Sequence, residues 1–242
     1  MKNTFGQNVT ITLFGESHGA AVGAVLDGIA AGLPADETFI AQRLTLRRPQ
    51  LASDTARKEK DDFRILSGVK DGFTTGAPLT VIVPNEDIRS GDYEQIRNLP
   101  RPSHADYAAR IKYGGYEDYR GGGHFSGRVT AALVAAGAIL LQALENKGVI
   151  IGSHILSCGN VSDERYSLDP TSEIKNTKGK PFPVLNDNKQ EEMLAKFNLS
   201  SLLGHPVSKG DATEAEWKNW FTSFFPDRYK AENAFVIDCK GN

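Results

Sequence analysis

The sequence predicts an α+β protein, and three observations carry that reading. Near the N-terminus an alternating segment, a short polar interruption and a second apolar run describe two strands joined by a turn. Residues 127–146 form a long apolar helix. Between them, glycine, proline and threonine punctuate further short strand and helix candidates. The 242 residues suffice for one large domain or two small ones, and 40% hydrophobic with 24% charged residues is ordinary globular composition.

Each element follows from local chemistry. Residues 8–14 set Val9, Ile11 and Leu13 against Thr10 and Thr12, the period of a half-buried strand. Small and polar residues 15–19 interrupt it, and residues 21–26 resume as a strand. Asp36 is placed to cap a helix that runs to about Arg47, with Phe39, Ile40 and Leu44 on one face and Pro49 as its stop. Residues 49–62 are polar and charged and predict an exposed, mobile loop. Residues 63–66 and 79–83 read as strands separated by the turn 71–76, and residues 105–112 as a short helix. The helix at 127–146 is apolar on every side and predicts full burial, with Lys147 and Gly148 at its end and a strand over 149–155 after it. Further on, residues 191–197 and 214–225 read as helices and 234–239 as a strand. Trp217, Trp220, Phe221, Phe224 and Phe225 read as a core-facing or partner-facing stripe.

The net charge of −2 gives no global pull toward nucleic acid or membrane, so any anion must be met by local clusters. Two cysteines, Cys158 and Cys239, lie outside metal-ligand spacing and fit a reducing cytosol. The N-terminal residues lack the apolar run of a signal peptide, and the longest apolar run, 131–141, falls short of the ~20 residues that span a bilayer. The expectation is a soluble, cytoplasmic protein.

Three histidines stand in polar loops entering or leaving apolar elements, where sites are commonly built. These are His18 in Gly-Glu-Ser-His-Gly, His104 in Arg-Pro-Ser-His-Ala-Asp-Tyr, and His124 in Arg-Gly-Gly-Gly-His-Phe-Ser-Gly-Arg. Histidine is suited to acid catalysis near neutrality. Arg47, Arg48, Arg57, Arg101, Arg120 and Arg128 cluster around the same segments, and guanidinium groups bind phosphate bidentately. For any one arginine, solvated surface charge is the plain alternative. Gly121-Gly122-Gly123 before a helix is a candidate anion-binding loop or simply a flexible turn; it matches neither a P-loop nor a dinucleotide fingerprint. A zinc site from His18, His104 and His124 lacks an HxxxH spacing or a cysteine partner, and no metal ligand is assigned. The residues by themselves describe an enzyme-like protein that binds a phosphorylated anion and has histidines available as acids.

At residues 15–19 and 120–123, and in order through Leu46-Arg47-Arg48-Pro49, Arg57-Lys58-Glu59, residues 65–69, Thr74-Thr75-Gly76, 90–93, 101–107 and 130–139, the sequence resembles chorismate synthase. The resemblance implies one domain of helices sandwiched between antiparallel sheets, assembled as a homotetramer. It implies the 1,4-anti elimination of phosphate from 5-enolpyruvylshikimate 3-phosphate, giving chorismate in the shikimate pathway of aromatic amino acid biosynthesis. Reduced FMN is implied as cofactor, with NADPH where a member reduces its own flavin.

Carried over by position, the resemblance makes His18 the acid for the leaving phosphate and His104 the group that protonates or poises the flavin. It puts Ser17 and Ser126 in the proton-handling shell, and Arg48, Arg101 and Arg128 on the substrate's anions together with Arg47, which also matches an NADP-linked position. His124, Phe125 and Ser126 fall on the flavin-contacting segment, where many members have Arg-Ser-Ser. The likeness extends to about residue 196, and residues 197–242 read as a divergent tail without the family's later flavin-binding stretch or its Arg-x-Asp-Pro-Cys segment. The alternative to an active lyase is a truncated, impaired member that binds FMN or substrate or associates with other subunits. A metal-dependent hydrolase is the third class.

Overall fold

The computed structural model describes residues 3–50, 59–86, 88, 93–94, 97–101 and 104–201, with side chains to Lys196. The expected helix 214–225, strand 234–239 and aromatic stripe lie outside the described residues. The chain divides into two compact units, Met1–Gly152 and Ser153–Asn242.

The first unit is built on a five-stranded antiparallel sheet. Its strands are β1 (Thr4–Gly6), β2 (Thr10–Gly15), β3 (Ala21–Asp27), β4 (Arg64–Ser67) and β7 (Leu79–Pro84), in the spatial order β1-β2-β3-β7-β4. Register explains the core. Val22, Ala24 and Leu26 alternate along β3 and pair across the ladder with Val83, Val81 and Leu79 of β7. All six are fully buried, because side chains two apart in a strand share one face. Against that face pack Ile40 and Leu44 of α1 (Glu37–Leu46) and the buried alanines and Ile139 of α3 (Thr130–Glu145). On the opposite face, Gly23 leaves room for the ring of Phe14, which lies where a Cβ would stand.

α1 has the expected start. The Asp36 carboxylate accepts from the backbone N–H groups of Thr38 at 2.8 Å and Phe39 at 3.3 Å, satisfying donors that have no partner inside the helix. The helix ends at Leu46, ahead of Pro49. α2 (Asp106–Tyr113) is closed by Gly114 in the left-handed conformation. α3 ends in a Schellman arrangement, in which Gly148 N–H donates to the Glu145 carbonyl and Val149 N–H to that of Leu144.

The structure departs from expectation in four places. The stretch 71–76 is not a plain turn but carries a small hairpin, β5 (Val69–Lys70) with β6 (Phe73–Thr74), turning at Asp71 with φ of 51°. α3 is buried on one side only: Ala131, Ala132, Ala135, Ala136 and Ala138 face the sheet, while Leu133 and Leu144 are exposed. By composition Gly127–Glu145 is long enough to cross a bilayer, but its alanine face packs on the sheet. Residues 149–155 form no strand, because among the described residues no partner strand takes up their backbone; Val149, Ile150 and Ile151 are exposed. Finally, within the loop 49–62 Asp61 is buried, although Pro49, Gln50, Lys60 and Asp62 are exposed as expected.

The second unit carries the hairpin β8 (Ser157–Cys158) and β9 (Val161–Ser162), then α4 (Thr171–Thr177) and α5 (Asp187–Ser201). The Asp163 carboxylate accepts from Leu185 N–H at 2.6 Å and Asn186 N–H at 3.2 Å, which sets the start of α5.

Candidate functional site

The β2–β3 connection carries Ser17 and His18, both buried. A segment a hundred residues later holds it in place. Ser17 N–H donates to the Gly123 carbonyl at 3.1 Å. The Ser17 hydroxyl lies 3.3 Å from the Arg120 carbonyl, 3.2 Å from that of Gly121 and 3.2 Å from His18 Nδ1. The Ser17 hydroxyl thus lies between two backbone carbonyls, which only accept, and the His18 ring nitrogen.

The glycine run is what allows this closeness. Gly121, Gly122 and Gly123 have φ of 58°, 93° and 54°, a region that side chains disfavour. A Cβ on Gly121 would lie 2.1 Å from His18 Cε1, and one on Gly123 would lie 2.2 Å from the Asp118 carbonyl oxygen. Gly121 is therefore a close-packing position against His18, and Gly123 one against the Asp118 backbone. His124 is used similarly: its Nδ1 donates to the Gly15 carbonyl at 2.8 Å, tying the same two segments together. Phe125 is half-exposed, 6.0 Å from Tyr113, with the Lys112 ammonium 5.2 Å from its ring.

Arg101 and His104 approach from the start of α2. Tyr93 meets the His18 ring edge-on at 5.0 Å, and the Arg101 guanidinium lies 5.4 Å from the Tyr93 ring centroid. Arg101 is held in a two-pronged ion pair with Asp106, at 2.7 Å and 2.9 Å. Burial pushes the Asp106 carboxyl up, but hydrogen bonds from the Arg101 side chain and backbone outweigh it and hold the group below the usual carboxylate range. The same hydrogen bond raises Arg101. Asp118 and Arg120 repeat the arrangement, with burial opposed and overcome by bonds from Arg120, so that Asp118 is also lowered. His104 itself is exposed beside this pair.

The remaining residues form a cleft of about 330 Å³ lined by Arg47, Glu59, Asp61, Ser126 and Arg128. Arg128 is buried. Its Nε donates to Asn85 Oδ1 at 2.8 Å, its Nη2 to the Pro84 carbonyl at 2.9 Å, and its Nη1 to Asp61. Asp61 also accepts from Arg47 Nη1 at 2.9 Å. Arg48 donates to the Lys60 carbonyl, and its Nε is buried with no hydrogen-bond partner among the described residues. Ser126 Oγ accepts from Arg128 N–H and so caps the turn that leads into α3. Among the described residues, no three His, Cys, Asp or Glu side chains are grouped to hold a metal.

Asn85 joins cleft and histidine. Its amide N–H group donates to the carbonyls of Glu16 at 2.9 Å and Gly19 at 2.8 Å, while its oxygen receives Arg128. The structure thus brings Ser17, His18, Arg101, Arg128 and Ser126 into one connected region, with Arg47 across the cleft. Arg57 lies outside the described residues. Sequence reasoning missed Asp61, Asn85, Tyr93 and Asp118. Their only local signal is position, as polar groups at strand or loop ends beside the motifs.

Residues 9–202 match the family model described as chorismate synthase. The chain is 49% identical over 166 residues to the chorismate synthase of Korarchaeum cryptofilum, covering 68% of this chain and 46% of that protein. It is 42% identical over 210 residues to that of Pyrobaculum aerophilum, covering 86% and 56%. A solved crystal structure of chorismate synthase superposes with a TM-score of 0.62 at 29% identity, over 82% of this chain and 54% of that one. The chain spans about half the length of the curated relatives it matches.

Proposed function

We propose, because this chain belongs to the chorismate synthase family, that its site serves the family's carbon–oxygen lyase reaction, the 1,4-anti elimination of phosphate from 5-enolpyruvylshikimate 3-phosphate to give chorismate. The observation that carries this reading is the placement of His18. Its ring is buried against Gly121, oriented through Nδ1 by Ser17, and linked through Asn85 to a cleft walled by arginine. A leaving phosphate needs a proton and a cationic surround. His18 supplies the first, and Arg47 and Arg48 the second. Arg101 orders the approach from α2, and Arg128 holds Arg47 in place through Asp61.

Reduced FMN is the cofactor of this reading, and it supplies transient electron density to the breaking C–O bond when bound. The residues fit such a group. A Cβ on Gly122 would meet only the Ser126 Cβ, at 3.7 Å, so the backbone is open there to a planar ring. Beside it stand the half-exposed Phe125 and the Lys112 ammonium, suited to an aromatic and a phosphate respectively. His124, Phe125 and Ser126 would hold it, with the exposed His104 on its side of the site. NADPH at Arg47, a cytoplasmic location and a homotetrameric assembly belong to the same reading.

The test is anaerobic turnover of 5-enolpyruvylshikimate 3-phosphate with chemically reduced FMN, following chorismate absorbance, for the chain and for His18→Ala and His104→Ala. Turnover that falls about 10²–10⁴-fold in each variant supports the assignment. A folded chain that binds neither FMN nor substrate sinks it.

A further inference from the structure

We propose that Asp61 is a positioning residue. By bridging Arg47 and Arg128 it fixes Arg47, the more exposed of the two arginines that line the cleft, in the pose that receives the substrate's anionic end. The inference rests on the reading above that this cleft takes a phosphate-bearing substrate.

The two arginines are not equivalent. The Arg128 side chain is 3% exposed and is committed to Asn85, Pro84 and Asp61. The Arg47 side chain is 23% exposed and lines the cleft. Its contacts with described residues are Nη1 to Asp61 at 2.9 Å and Nη2 to Thr130 Oγ1 at 3.4 Å, so two of a guanidinium's five donors are used. Asp61 gives one carboxylate oxygen to each arginine. Its own backbone is fixed at φ of 56°, a conformation that aspartate tolerates better than most residues. A buried carboxylate in left-handed backbone thus joins a buried guanidinium to one that is partly exposed.

Two views of Asp61 predict opposite signs. As a mere counter-charge it would weaken anion binding, and its removal would strengthen it. As a positioning residue it fixes the donors, and its removal weakens binding because a bidentate contact depends on orientation.

The experiment is a titration with inorganic phosphate, followed by isothermal titration calorimetry, which reads every variant alike. It compares wild type with Asp61→Asn, Asp61→Glu, Arg47→Lys and Asp61→Glu/Arg47→Lys, each checked by a cooperative melt. Asparagine tolerates the same backbone, and glutamate keeps the charge but displaces it. Phosphate affinity should fall about ten-fold in both Asp61 variants, and Asp61→Glu should have no further effect when Arg47 is lysine. Unchanged or tighter phosphate binding in a folded Asp61 variant overturns the proposal. If Asp61→Asn does not fold, Asp61→Glu and its double variant decide alone. Wild type that binds no phosphate sinks the cleft reading as well, whereas wild type that binds with unaltered Asp61 variants sinks only the role of Asp61.

Discussion

The His18 ring occupies the space that a side chain on Gly121 would need: a Cβ there would lie 2.1 Å from Cε1 and 2.3 Å from Nδ1. Gly122, its neighbour, has no such contact. The two glycines therefore separate backbone strain from displacement of the histidine. With reduced FMN saturating, Gly121→Ala should lower kcat about 100-fold, the scale of a misplaced catalytic group, whereas Gly122→Ala, which adds a Cβ beside the proposed flavin, should weaken FMN binding and carry the left-handed backbone cost of about 1–2 kcal/mol. Parallel kinetics and melts decide it, and equal loss of activity in the two would refute the separation.

The Asn85 amide bonds both the turn, through the Glu16 and Gly19 carbonyls, and Arg128. Asn85→Asp keeps an acceptor for Arg128 but removes the donors to the Glu16 and Gly19 carbonyls. It should cost about 1–3 kcal/mol by urea denaturation and depress turnover further than stability alone explains. A variant with the wild-type midpoint would show that the turn holds itself.

Asp106 and Asp118 are both held below the usual carboxylate range. A group whose folded value is depressed contributes stability that is present above its unfolded value, about 3.9, and is lost as pH falls through the lower folded value. The difference in Tm between wild type and Asp106→Asn/Asp118→Asn should be greatest near pH 7 and shrink below about pH 4. A gap that stays constant down to pH 3 would contradict the two ion pairs.

Ile139 is fully buried between α3 and the sheet. Ile139→Ala should destabilise by about 2–5 kcal/mol, measured by chemical denaturation. Leu133→Ala, on the exposed side of the same helix, should cost less than half of that.

What was legible in the sequence was whatever depends on near neighbours. Asp36 and the N–H groups it caps are two and three residues apart, and the alternation in β3 states its buried face without reference to β7. Motif likeness carried the reading further, to Ser17, His18 and the glycine run, because those residues recur together. The alanine-rich face of α3 looked like burial on every side because residue type records only what is apolar, not how many layers cover it. Residues 149–155 have strand composition, but a strand exists only with a partner. Asp61 and Arg128 are 67 positions apart, so a charged loop residue gave no sign that it would be the buried hinge between two guanidiniums.

The fastening of the β2–β3 turn also sets an order of events in a growing chain. The turn is complete by residue 20, yet one tie waits for Asn85 and others for residues 120–124, so these ties to the His18 segment form long after its own synthesis. Pairing across such separations is slow relative to local structure. The His18 turn is consequently completed only once residues 120–124 have been made, and a nascent chain that stops short of them has its motif but not its geometry.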